Sequence, residues 1–356
     1  MQALRDARPD LDLSYVGGAR GLEGRLVGSG ELLPYDQLLV RSLRTAARDV
    51  HLVLDPIRVG LSVPQAWWLL GRKRPAAIFT TGGYLALPLT MAARARGIAT
   101  LVWEGNVIPG RSTRALARLA TRIAVSFPPT LGAFPGRAFV SGTPIRSFTG
   151  IERTAAREGF GIAADERAML VFGGSQAVTT MNTAVFGSLE RVLDRWRLLH
   201  VAGEAGMPAA IRARDALPPT LAERYDPRPF LTDRMADALV AADLVVGRAG
   251  SSTCAEVAAV GTASILVPYP YAGSHQRANA AWFGDQGAAV VIADEELSAD
   301  RLAVEAERLR DDAVREPIAQ AARKLGRPDA ARVIADELLA LAEGRPLPSV
   351  TGEAAA

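Results

Sequence analysis

The chain has 356 residues, of which 49% are hydrophobic and 22% charged, and a formal net charge of +3. One core rarely grows past about 250–300 residues, so two domains are expected. A single cysteine, Cys254, excludes a disulfide framework and a Cys/His zinc cluster, and with 39 of 41 basic residues being arginine the positive balance reads as coding bias, not as a nucleic-acid groove. Met1 to Leu13 lacks the apolar region of a secretory signal, and no apolar run approaches the roughly 18–20 residues of a spanning helix.

MQALRDARPDLDLSYVGG opens as the last turns of a helix followed by a strand over Leu11 to Val16. Further short runs rich in β-branched residues follow at Ala76 to Thr80, Ala99 to Trp103, Ile123 to Ser126 and Ala138 to Val140, separated by helical stretches such as Leu85 to Arg96 and Arg111 to Thr121. That alternation predicts a parallel sheet with crossover helices. A polar interval over 149–166 reads as the linker between an N-terminal domain (1–148) and a C-terminal one (167–328). The alternation restarts with Ala168 to Phe172, a helix from Val178 to Trp196, and strands at Leu198 to Ala202, Leu244 to Val246, Ser264 to Val267 and Ala288 to Ile292. A last amphipathic helix, within 329–345 and capped by Asp329, is expected to pack back toward the first domain, leaving 346–356 as a frayed tail.

Between Ile57 and Leu70 an apolar stretch carries Trp67 and Trp68 and runs directly into Arg72, Lys73 and Arg74. Tryptophan beside cations suits a membrane interface, and a buried helix with a basic C-terminus suits it equally.

Several strand-to-helix turns carry groups suited to a phosphorylated sugar. Phe172 leads into Gly173, Gly174, Ser175 and Gln176, where glycines let backbone N–H groups approach a ligand at a positive helix end. After Val246, Ser251, Ser252 and Thr253 open a helix whose Glu256 can accept hydrogen bonds from a sugar diol. The bland alternative makes Ser251 an N-cap and Glu256 a surface acid. Two such helix ends would converge at the carboxyl edge of the sheet. Gln276 and Asn279, spaced i and i+3, could offer amides to neutral hydroxyls, with His275 beside them. His200 ends a strand and is expected to shape the site without transferring a proton. In the first half, Thr81 to Tyr84 and Glu104 to Asn106 form comparable turns, and Arg146 could give a charge-assisted hydrogen bond to a phosphate.

TGGY (81–84), WEGN (103–106), SGTPIR (141–146), FGGSQ (172–176), HVAG (200–203), FLTDRM (230–235), GRAGSSTCAE (247–256) and HQRANA (275–280) occur in that order. Together they resemble the MurG family, the N-acetylglucosaminyltransferases that form lipid II in peptidoglycan synthesis. The resemblance implies an α/β GT-B fold, two Rossmann-like domains with parallel sheets facing across a cleft. It further implies inverting transfer from UDP-N-acetylglucosamine (UDP-GlcNAc) to the 4-hydroxyl of MurNAc in undecaprenyl-diphosphate-MurNAc-pentapeptide (lipid I), with no metal and no cofactor. Gly173, Gly174 and Ser175 would then meet the diphosphate, Ser251, Ser252 and Thr253 the phosphates, Glu256 the ribose and the backbone of Leu231 the uracil. Asn106, Gln276 and Asn279 would touch the N-acetylglucosamine, and Arg146 would help hold the nucleotide. Trp67, Trp68, Arg72, Lys73 and Arg74 would serve peripheral attachment to the cytoplasmic face of the membrane.

The chain departs from the family at Trp103, Gly105 and Ala177, and the family's N-terminal GGTGGH loop, whose histidine is a candidate base, has no counterpart from Met1 onward. Two readings stand: a start further upstream, or a diverged copy that binds a UDP-sugar without turnover. Another UDP-sugar enzyme of the same fold is a third.

Overall fold

The computed structural model describes residues 1–18, 33–38, 51–173, 179–270 and 275–346, with side chains in the second helix described from residue 60. The chain divides into two compact units. Unit 1 comprises Met1–Gly105, Pro109–Gly142 and Asp329–Ala356; unit 2 comprises Asn106–Ile108 and Thr143–Pro328.

Unit 1 holds α1 (Gln2–Ala7), β1 (Tyr15–Gly18), β2 (Tyr35–Leu38), α2 (His51–Lys73), β3 (Ala77–Thr80), α3 (Ala86–Ala95), β4 (Ala99–Glu104), α4 (Arg111–Ala117), β5 (Arg122–Val125) and β6 (Ala138–Val140). Strands β3 to β6 form a parallel sheet in chain order, and β1 and β2 form a separate parallel pair. The final helix, α14 (Ala330–Glu343), belongs to this unit: Ile334, Leu338 and Leu341 pack with Leu101, Ala124 and Phe139 of the sheet. A buried ion pair, Arg122 Nε to Glu337 Oε1 at 2.6 Å, fixes it there. Asp329 stands at its N-cap position but forms no cap hydrogen bond, pairing instead with Arg332 at 3.0 Å.

Unit 2 continues with α5 (Arg153–Glu158), β7 (Ala168–Phe172), α6 (Thr179–Leu193), β8 (Arg197–Val201), α7 (Met207–Asp215), α8 (Pro219–Ala222), β9 (Tyr225–Arg228), α9 (Met235–Ala241) and β10 (Leu244–Gly247). After these come α10 (Ser251–Val260), β11 (Ala263–Leu266), α11 (His275–Asp285), β12 (Val290–Val291), α12 (Ala299–Arg308) and α13 (Asp312–Leu325). Its six-stranded sheet is parallel throughout, in the order β12-β11-β10-β7-β8-β9. Every residue of β10 and β11 is buried, as strands covered on both faces require.

The interval 149–166 is not a bare linker. It contains α5, and the buried Arg157 binds the carbonyls of Ala163 (2.8 Å) and Ala241 (3.1 Å) and the carboxylate of Asp243 (3.2 Å). Asp243 also receives Arg153 and the Ala168 amide at 2.9 and 2.8 Å, so this stretch is stitched to the start of β7. β2 and β9 carry no clear apolar run; YDPR in β9 holds a proline, tolerated because β9 is an edge strand. Residues 347–356 of the expected tail lie outside the described residues.

Candidate functional site

In unit 2 the strand order reverses between β7, the first strand, and β10, its neighbour. Ligands bind at such a switch point, beyond the carboxyl ends of the strands. Gly247 is paired with Phe172 across the two strands, so the turns beginning at Gly173 and Arg248 leave the sheet side by side. Gly174, Ser175 and Gln176 lie outside the described residues; Gly173 is half-buried.

The β10 turn is the better defined of the two. The N-cap of α10 is Gly250, in extended conformation and without a side-chain cap, so Ser251 is the first helical residue and not the expected cap. The first helical hydrogen bond is Cys254 N–H to Gly250 O at 3.0 Å. The N–H groups of Ser251, Ser252 and Thr253 therefore precede the ladder, at the helix's positive end. Ser252 is exposed; Cys254 behind it is buried, its thiol pushed up to about 12 by desolvation.

One turn along the same face from Ser252 lies Glu256, and the expectation of a surface acid fails there: the residue is only 6% exposed. Its Oε1 accepts a 2.8 Å hydrogen bond from Arg146 Nε. Burial raises the carboxyl pKa above the usual range, and the Arg146 charge and hydrogen bond act against that rise. Arg146 itself keeps 43% of its side chain exposed, so its guanidinium can meet both Glu256 and a solute. Two residues 110 positions apart, assigned separately to phosphate and ribose, form one charged unit.

Asn279 departs from its expected role. It is fully buried; its Oδ1 accepts the Val107 amide at 3.0 Å, while its Nδ2 donates to Ala249 O at 3.1 Å and Asn106 Oδ1 at 3.2 Å. Its amide is committed to positioning Asn106 and the β10 turn, leaving no open amide for a sugar. His275 reinforces this clamp through Nδ1 and Ile108 O at 2.9 Å. Gln276 is half-buried and uses Oε1 to accept the Tyr269 amide at 2.9 Å, holding the loop after β11. Arg248, buried, pairs with Asp294, donates to Val267 O at 3.3 Å and lies 5.5 Å from the centre of the Tyr269 ring. Nothing in the sequence spacing signalled that second ionic support. Leu231 is buried and Phe230 beside it is 56% exposed. Among the described residues, no group of three His, Cys, Asp or Glu side chains could hold a metal ion.

In unit 1, the other residue set singled out lies on α2, with Arg74 directly after its end. Ser62, Ala66, Leu69 and Leu70 are buried, whereas Leu61, Trp67 and Trp68 are exposed, so the helix buries one side and leaves large apolar side chains on the other. Arg96 stacks over Trp67 at 4.0 Å and Arg72 over Trp68 at 4.7 Å. Arg72 and Lys73 each reach Asp36 at 3.0 Å, so the patch is less cationic than its sequence. No helix among the described residues is long and apolar enough to cross a membrane.

Comparison with known proteins agrees with this architecture. The glycosyltransferase family 28 N-terminal domain matches residues 1–125 and the C-terminal domain of the same family residues 168–334. The UDP-N-acetylglucosamine–N-acetylmuramyl-(pentapeptide) pyrophosphoryl-undecaprenol N-acetylglucosamine transferase of Desulforudis audaxviator is 35% identical over 350 residues, covering 96% of this chain and 93% of the relative. The protein of the same name from Salinibacter ruber is 37% identical over 352 residues, covering 96% and 91%. The crystal structure of Acinetobacter baumannii MurG superposes with a TM-score of 0.76 at 26% identity, covering 95% of this chain and 94% of that one. The calicheamicin glycosyltransferase, at 16% identity and TM-score 0.69 over 97% and 94%, shares the fold.

Proposed function

The chain belongs to glycosyltransferase family 28, within its UDP-N-acetylglucosamine–N-acetylmuramyl-(pentapeptide) pyrophosphoryl-undecaprenol N-acetylglucosamine transferases, and from that premise we propose that it converts lipid I to lipid II. The 4-hydroxyl oxygen of MurNAc attacks C1 of N-acetylglucosamine with inversion. The bond from C1 to the β-phosphate breaks, UDP leaves with the electron pair, and the hydroxyl proton passes to a base that the described residues do not identify. The observation that carries the donor half is the buried Glu256 carboxylate, paired with the part-exposed Arg146 one turn from the open N–H groups of Ser251 to Thr253.

In this reading those N–H groups and the dipole of α10 stabilise charge growing on the departing diphosphate, the largest catalytic contribution available here. Gly173, Gly174 and Ser175 complete the diphosphate cradle. Glu256 holds the ribose hydroxyls through the carboxylate oxygen not bound to Arg146 Nε, while Arg146 opposes the rise that burial gives the Glu256 pKa and meets the nucleotide with its remaining N–H groups. The backbone at Leu231 takes the uracil, and Asn106 and Gln276 face the sugar with Asn279 behind them as support. Trp67, Trp68 and Leu61 enter the headgroup region on the cytoplasmic face, with Arg72, Lys73 and Arg74 at the lipid phosphates. That apolar outer face of α2 supports peripheral attachment and access to a lipid-linked acceptor.

The test is transfer of labelled N-acetylglucosamine from UDP-GlcNAc to lipid I by the purified protein. Labelled lipid II with stoichiometric UDP is expected. UDP binding without transfer would overturn the transferase reading in favour of a UDP-sugar-binding homologue.

A further inference from the structure

Behind the β7 turn, unit 2 buries three polar side chains in a single chain of hydrogen bonds. Tyr225 Oη on β9 lies 2.8 Å from His200 Nδ1 on β8, and His200 Nε2 lies 3.0 Å from Asn182 Oδ1 on α6. Asn182 Nδ2 in turn donates to Ala202 O at 3.0 Å. That last bond sets every proton in the chain. Since the Asn182 amide gives its N–H to a carbonyl, Oδ1 accepts, His200 carries its proton on Nε2, and Nδ1 accepts the Tyr225 hydroxyl. Burial keeps the imidazole neutral, with its pKa pulled down to about 4, and the Phe186 ring meets it edge-on at 5.8 Å.

An all-apolar trio would fill this space without any polar group to satisfy, so what the network supplies is register between three elements. Asn182 is the fourth residue of α6, the helix that follows the Gly173 turn; Ala202 directly follows β8. Gly206 closes the same place. A Cβ on it would lie 2.3 Å from Ala202 O and 2.4 Å from Asn182 Nδ2, so a side chain there would break the bond between them.

We propose that Asn182, His200 and Tyr225 are positioning residues for the diphosphate half of the donor site: they fix the first turn of α6 against β8, so that the phosphates meet a helix end already in place. The inference rests on the donor reading above. It predicts that the network serves the phosphates and not the nucleoside, a division that a purely structural role would not produce.

The experiment measures UDP and uridine affinities, by competition, for the full chain and for Asn182→Ala, His200→Leu, His200→Gln and Tyr225→Phe, each checked by near-UV circular dichroism. Asn182→Ala and His200→Leu are expected to weaken UDP about tenfold while uridine changes less than about twofold. His200→Gln retains an N–H toward Asn182 Oδ1 and is expected to recover most of the loss. Tyr225→Phe keeps its ring and provides the folded variant if Asn182→Ala does not fold; it should weaken UDP by about threefold. Equal losses for UDP and uridine, or unchanged UDP affinity in the folded variants, would overturn the positioning role. A wild-type protein that binds neither ligand would instead overturn the donor reading itself.

Discussion

The two parallel sheets of this chain are closed in different ways. In unit 2, six strands run without a break, and β10 and β11 are buried along their whole length. In unit 1, β3 pairs with β4 alone among the described residues; its sequence AIFT is apolar but only half-covered, with Phe79 36% exposed, and β1 and β2 stand apart as a pair. The polar groups follow the same division. Unit 2 encloses a charged network at the start of β7 and a neutral one beside the end of β8, whereas among the described residues unit 1 has one buried ion pair and a helix that turns tryptophans outward. A continuous sheet gives the fixed frame that recognition of a small polar donor needs, while exposed apolar and aromatic area suits contact with an extended surface.

The sharpest way to break this contrast is to remove Asp243. Its carboxylate holds Arg157, Arg153 and the Ala168 amide, and Arg157 would be left buried with carbonyl partners only. Breaking such a pair from one side costs about 3–5 kcal/mol. Asp243→Ala is expected to remove that much stability from unit 2, read as lost amide protection in β7 and β10 by hydrogen exchange, with β4 and β5 unchanged. Glu337→Ala, which removes the buried carboxylate that Arg122 pairs with, is expected to do the reverse. Equal losses in both units for either variant would show that they do not fold separately.

Acid should act on the same division. His200 has a folded pKa of about 4 against an ordinary 6.5, so below 6.5 protons bind the unfolded state preferentially. The stability of unit 2 contributed by neutral His200 is complete above about pH 6.5 and falls as pH drops toward 4, by about 3 kcal/mol in all. Tyr225, its bonded neighbour, is pushed up by burial with Arg214 acting against the rise, and stays neutral throughout. Urea midpoints followed across this window should converge for wild type and His200→Gln as pH falls; a constant gap between them would sink the prediction.

The fold was largely legible because buried parallel strands are written as continuous apolar runs. Ala168 to Phe172 and Ala138 to Val140 match observed strands end to end, and most others fall within a residue or two. β2 and β9 were not legible, since an edge strand needs no such run and YDQL and YDPR carry none. The linker reading of 149–166 missed α5 for a related reason: polar composition does not show that the guanidiniums of Arg153 and Arg157 bind carbonyls and Asp243. In the site, chain-local features such as the opening of α10 could be read, whereas pairings between distant positions could not. Spacing alone does not reveal that Arg146 meets Glu256, or that Asn279 turns inward to Val107 while Gln276, three residues earlier, serves Tyr269.

That pairing yields the next effect in size. Glu256→Ala is expected to weaken UDP by about 2–3 kcal/mol, or about 30- to 150-fold, through loss of charge-assisted hydrogen bonds, with the maximal transfer rate much less affected. Burial raises the Glu256 pKa and Arg146 opposes it, so Arg146→Ala should let UDP affinity begin to fall at a higher pH than in wild type as the solution is acidified. Titration calorimetry over a pH series checks both, and unchanged UDP affinity in Glu256→Ala would remove the ribose assignment.

The smallest effect is expected where the contrast predicts no stability role at all. Trp68 is 62% exposed with Arg72 stacked on it at 4.7 Å, so replacing it gives up apolar and cation–π contact with a lipid surface and little internal packing. Trp68→Ala should weaken binding to phosphatidylglycerol vesicles by about 1–2 kcal/mol, while its urea midpoint and UDP affinity stay at wild-type values. Vesicle co-sedimentation in low and high salt separates the two contributions: the tryptophan's share survives salt, and that of Arg72, Lys73 and Arg74 does not. If Trp68→Ala sediments as wild type yet unfolds earlier, α2 is a structural helix and unit 1 presents its exposed face elsewhere.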